Sequence, residues 1–423
     1  MLRLSFQLPI VLISIALSFP IAAKKYVVAG SAVEVLSTDV HSLMNQAVKT
    51  HPSIAAAEAS VRAAGADVRS AKWQQFPSLS VEGLFLNQQS NRLQPQVIAE
   101  QPLWTAGRLS GTIKRAEIRE NVALAAYDEA VLAIASSTAQ AFYEVYRWRE
   151  RNALLSFSLE QHNRMVATME RRVAQEVSPL SDLELARTRA LQVEQQLFQG
   201  TAQERSALNV LRELVGDPQL NLTGSLPDVQ AWPSLDDANV IDQSLNFSPN
   251  LKRLKSEARA LAAEAQIARA SILPQLSSQY SYSDTFGHRV GLVLKAQSDG
   301  GLSRFAAADA ARRRVEAGEL QIVAGERRLR DQLFGLLREY ESASSRLAGS
   351  ETASDAAQRI TESYLRQFTS GRRTWLDVMN AVREETAAKT DAVEARISGI
   401  SSLARLLLLS GQWASDPTSD ANS

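Results

Sequence analysis

Two periodicities alternate along the chain, and they do so twice. A proline-opened stretch, Ser53 to Gln75, carries Ala, Arg and Glu without internal proline and predicts a short helix. Pro77 closes it, and Ser78-Leu79-Ser80-Val81-Glu82-Gly83-Leu84-Phe85 then alternates polar with apolar, the period of a strand with one apolar face. A return strand follows around Gln96 to Leu103. Beyond it no proline occurs before Pro179, and Tyr127, Val131, Ile134, Thr138, Phe142 and Val145 recur at helical spacing. The helix predicted over about 105–176 makes a rod of roughly 100 Å at 1.5 Å per residue. After a short turn a return helix spans about 180–215.

The second half repeats this order. Pro249 lies 197 positions after Pro52, Gly301 lies 194 after Gly107, and Asp377 lies 195 after Asp182. Three segments at nearly one offset make the chain a tandem duplication. In the second copy a helix from Asn250 to Ile272 leads to strands within about 274–297, where Leu276, Tyr280 and Tyr282 oppose Ser277, Gln279 and Ser281. A long helix over about 302–368 and a return helix over about 375–410 complete the unit. The expected organisation is a signal peptide 1–23, a first repeat 24–216, a linker 217–248, a second repeat 249–414 and a tail 415–423.

Composition narrows the function. The chain has 46 basic and 46 acidic side chains, so no basic excess points to nucleic acid. It has no cysteine, which removes disulfides, thiolate metal sites and a lipid-bearing N-terminal cysteine. The histidines His41, His51, His162 and His288 form no pair at metal-ligand spacing. No phosphate-binding loop, nucleophile elbow or zinc-protease motif occurs, and the expectation is no metal, no cofactor and no enzymatic reaction. Arg3 followed by the apolar run Leu8 to Ala23 reads as an export signal cut near Ala23, with Ala29-Gly30 as the alternative.

Four strands cannot close a barrel, and an open sheet edge in lipid would strand unpaired backbone groups. Chains that span a bilayer this way must pool strands. Two chains supply eight, which side chains would fill, whereas three supply twelve and leave room for a duct. Leu79, Val81, Tyr280, Tyr282 and Leu292 are then expected to face outer-membrane lipid. The rival reading is a periplasmic helical scaffold that never enters a membrane.

The ordered set His51-Pro52 with Pro77-Ser78-Leu79, Ser248-Pro249 with Leu273-Pro274, Thr105-Ala106-Gly107 with Asp299-Gly300-Gly301, and Gly371-Arg372-Arg373-Thr374-Trp375-Leu376-Asp377-Val378 resembles the TolC family of outer-membrane channels. The stretch Thr374 to Glu384 is similar to members serving type I secretion, including adhesin export. The resemblance implies a mainly α protein with membrane β: a homotrimer with a 12-stranded barrel continued by a periplasmic helical tunnel. It implies a passive exit duct that docks with a periplasmic adaptor and an inner-membrane ABC or proton-driven transporter. By the same resemblance, Val177, Ser178, Pro179, Gly371 and Arg372 form adaptor-docking tips, and Asp182, Arg373 and Asp377 serve the gate and constriction. The chain departs from the family pattern at Glu176, where the second copy has Gly371, at Pro179 opposite Thr374, and at Asn380 one turn after the tip aspartate.

Overall fold

The computed structural model describes residues 38–85, 93–224, 226, 232–283, 287–296 and 300–413. The expected signal peptide, the tail and Asp299 lie outside them. The order is α1 (Thr38–Thr50), α2 (Pro52–Trp73), β1 (Ser78–Phe85), β2 (Leu93–Trp104), α3 (Arg108–Ala174) and α4 (Leu180–Val215). The second copy follows as α5 (Asp237–Phe247), α6 (Pro249–Ala270), β3 (Gln275–Ser283), β4 (Gly287–Lys295), α7 (Ser303–Thr369) and α8 (Trp375–Leu409).

Local chemistry explains the shared boundaries. His51 Nδ1 accepts from the Ser53 N–H at 3.2 Å, Ser248 Oγ accepts from the Leu251 N–H at 3.3 Å, and each cap is followed by a proline at the first helical position. The turns into α3 and α7 use consecutive positive φ angles, at Ala106 (51°) and Gly107 (87°) and at Gly300 (59°) and Gly301 (69°). The long helices are 67 residues each.

Two helices were not expected. α5 lies inside the span 217–248 taken as a linker, and α1 occupies the equivalent place before Pro52, so each unit begins one helix earlier than the periodicity showed. At 13 and 11 residues both are too short to be stable alone. They are held by burial, α1 through Val40, Met44 and Ala47 and α5 through Val240.

All four strands form one antiparallel sheet in the order β1-β2-β3-β4, so the central pair β2–β3 joins the copies. β2 is longer than expected, at 12 residues, and its pairing shifts between Pro102 and Trp104, where proline has no N–H to donate. Among the helices, α3 packs on α2, α4, α6 and α8, while α7 packs on α6 and α8. One side of the layer therefore ends in α2 and α4, the other in α7. The main core joins Met44, Phe142, Tyr143, Leu211, Leu333, Ile397 and Leu403, and a second core near the α3–α4 and α7–α8 turns joins Met169, Leu183, Phe368, Trp375 and Val378. The apolar character of α3, high enough over one window to resemble a membrane helix, reflects this central position.

Candidate functional site

The sheet presents one largely apolar face, interrupted by Gln101, Ser278 and His288. Leu79 pairs with Ala99, Ala99 with Tyr280 and Tyr280 with Val290, and the next row runs Val81, Val97, Tyr282, His288. Leu292 pairs with Ser278, two residues from Tyr280, so all five residues expected toward lipid share this face. Leu79, Val81 and Leu292 are each about 70 % exposed (71, 70 and 69 %). Tyr280 and Tyr282 are less so, because the His288 ring sits beside both and its Nδ1 lies 2.7 Å from the Tyr280 hydroxyl. The opposite face carries Ser80, Gln279 and Ser281, and Lys295 donates across β3 to Glu100 at 2.7 Å. That ion pair escaped the sequence reading because β4 and β2 are not neighbours in the chain.

At the far end of the helices, the two turns repeat one geometry. Val177 N–H donates to Arg172 O and Arg372 N–H donates to Gln367 O, both at 2.9 Å, around a left-handed residue that is Glu176 (φ 58°) in one copy and Gly371 (φ 73°) in the other. Their exits differ. Thr374 Oγ accepts from the Asp377 N–H at 3.3 Å while Asp377 accepts from the Thr374 N–H at 3.2 Å, a reciprocal cap. The Thr374 hydroxyl, which donates to the Asp377 carboxylate at 2.8 Å, and the Thr374 N–H hold that carboxyl below its ordinary value. Pro179 offers α4 no such cap, and Asp182 makes no side-chain hydrogen bond or ion pair among the described residues.

Arg373 is held within its own turn. It lies over the Tyr364 ring at 4.3 Å, donates to Gln367 at 3.3 Å and stands 3.8 Å from Asp377. Arg172 instead ties the two turns, donating to Ser178 Oγ at 3.0 Å while covering the Phe368 ring at 4.8 Å. Val177, Gly371 and Arg372 are exposed and Pro179 caps α4 beside them. Among the described residues no group of His, Cys, Asp and Glu is arranged to hold a metal.

Exposed apolar side chains gather on the flanks of the helical layer, a feature that the core periodicity hid. α4 carries Leu191, Phe198 and Val210, and α7 carries Leu320, Val323 and Phe334, each between 45 and 67 % exposed.

Residues 43–217, which span the first copy, match the outer membrane efflux protein family. That match covers less than half of the chain, essentially its first copy. The second copy lies outside the matched residues, and the likeness of fold to solved proteins extends over both copies. VceC, an outer membrane protein of Vibrio cholerae, superposes with a TM-score of 0.77 at 17 % identity, over 89 % of this chain and 97 % of its own. The CmeC outer membrane channel of Campylobacter jejuni gives 0.72 at 13 % identity, over 89 % and 86 %. The pyoverdine export outer membrane protein OpmQ of Pseudomonas aeruginosa is 24 % identical over 324 residues, which cover 70 % of this chain and 66 % of that relative. The match to the outer membrane efflux protein family and the likeness to OpmQ place the chain at the outer membrane.

Proposed function

We propose that three copies pool their strands into a 12-stranded barrel and their helices into a periplasmic tunnel, forming the passive outer-membrane duct of an efflux system. The carrying observation is the open four-stranded sheet. Its edges β1 and β4 leave backbone groups unpaired on opposite sides, while one face is largely apolar. In lipid those edges require partners, and β4 of one copy beside β1 of the next supplies them. The apolar flanks α4 and α7 lie where neighbouring copies would meet, which supports the same assembly.

The tips Val177, Ser178, Pro179, Gly371 and Arg372 would dock a periplasmic adaptor, which in turn engages an energised inner-membrane transporter. Asp182, Arg373 and Asp377 would set the closed end of the tunnel. The family's efflux description and the relative's pyoverdine export favour efflux over adhesin secretion.

Extraction of the mature protein from outer membranes tests this reading. The expected result is a heat-modifiable trimer, released only by detergent, that conducts ions in planar bilayers. A soluble monomer or dimer recovered from the periplasm would overturn it and favour the scaffold.

A further inference from the structure

Between α3, α4 and α8, beginning roughly three helical turns from the α3–α4 turn, the helices line a half-open cavity of about 380 Å3. Its wall carries Arg151 and His162 from α3, Arg189 from α4, and Arg383 and Asp391 from α8. Three guanidinium groups and one carboxylate thus line the same cavity. Neighbouring arginines on the same helices are paired: Arg149 with Glu204, Arg187 with Glu170 and Arg396 with Glu150. Arg151, Arg189 and Arg383 have no ion-pair partner among the described residues.

The cavity is built rather than incidental. Arg151 stacks over Trp148 at 5.4 Å, and Arg189 donates to Gln192 at 2.8 Å, one of its five donors. His162 is 4 % exposed. Its Nδ1 lies 2.8 Å from the Ser158 carbonyl, which can only accept, so Nδ1 carries the proton and the ring is fixed in one orientation. The Ser158 hydroxyl is in turn 3.0 Å from that of Thr386, which closes the floor between α3 and α8. The charge set is not a by-product of the duplication, because the second-copy equivalent of Arg189 is Glu384 and the first-copy equivalent of Arg383 is Thr188.

Three like charges facing one carboxylate leave an excess of positive charge, and a bound anion relieves the repulsion among them. The planar fork of each guanidinium matches carboxylate or phosphate oxygens. We propose that this cavity is a binding site, one per chain, for a small anion bearing two or more carboxylate or phosphate groups. Nothing in it depends on which cargo the duct carries.

Isothermal titration of the full protein in neutral detergent, at constant ionic strength, tests the site with citrate and pyrophosphate as probes. Saturable binding of at least one at one per chain is expected, and the probe that binds tells carboxylate from phosphate chemistry. Arg189→Gln and Arg383→Gln should each weaken binding by about tenfold, with Arg313→Gln on α7 as a control that leaves it unchanged. Retained heat-modifiable assembly separates lost binding from lost folding, and Arg189→Lys should bind between wild type and Arg189→Gln. Absence of saturable binding by both probes, or unchanged binding in the assembled Arg189→Gln/Arg383→Gln double variant, overturns the proposal.

Discussion

Glu176 and Gly371 hold the same place in the two copies, each closing a 67-residue helix in the left-handed conformation, at φ 58° and 73°. Glycine adopts that conformation without strain, whereas a side chain there costs about 1 kcal/mol or more. Glu176→Gly should therefore slow hydrogen exchange at the α3–α4 turn, gaining up to about 1 kcal/mol after the looser unfolded chain is counted. Gly371→Ala should hasten exchange at the α7–α8 turn. Opposite signs at both sites would refute the equivalence.

The apolar face of the sheet makes a second test. Arginine at Tyr280 or Leu292 should cost about 2–4 kcal/mol if either sits near the bilayer midplane. Ser80→Arg, on the polar face, should assemble normally. The yield of heat-modifiable trimer in outer membranes compares the three, and equal yields would count against these strands as lipid-facing.

Gating is expected to depend on the tips. Three symmetry-related contacts acting together bias a closed state far more than one exposed pair does. Asp182→Ala and Arg373→Ala should each raise single-channel conductance in planar bilayers. Asp377→Ala should weaken cation selectivity, since carboxylate rings favour cations, and should also loosen the cap with Thr374. Wild-type conductance in both Asp182→Ala and Arg373→Ala would place the gate elsewhere.

Close packing around Gly399 gives a further expectation. A Cβ there would stand 2.4 Å from the Trp232 ring, which is itself set edge-on against Tyr340 at 5.6 Å between centroids. The indole or the helix must shift to admit the methyl group, so Gly399→Ala should destabilise the fold by about 1–3 kcal/mol. Gly349 has open space around its Cβ position, and Gly349→Ala should be neutral or mildly stabilising in thermal unfolding.

Burial keeps the His162 imidazole below its ordinary value of 6.5, and the nearby Arg189 charge pushes the same way. The unfolded chain takes up a proton that the folded chain refuses, so stability is flat above about pH 6.5 and falls as the pH drops below it. His41, also lowered by burial, contributes in the same direction. Unfolding temperatures taken between about pH 7 and pH 5 should decline, and His162→Asn should flatten that decline. An unaltered slope would assign the effect to other groups.

The sequence by itself determined the repeat, the order of elements in it and the two faces of each strand, because periods of 3.6 and 2 and the flanking prolines are properties of contiguous residues. Leu79 and Val81, and likewise Tyr280 and Tyr282, share a face of their own strand for that reason, and the register between strands brings these faces together. Only the tertiary structure decided that β2 pairs with β3 across the two copies and that Lys295 reaches Glu100. It likewise decided that α1 and α5 form, since helices of that length exist only where neighbours bury them. The gathering of Arg151, Arg189 and Arg383 around one cavity belongs to the same class. Each of those arginines reads locally as a solvated helix charge, and their proximity arises from the packing of α3, α4 and α8, which no local period encodes.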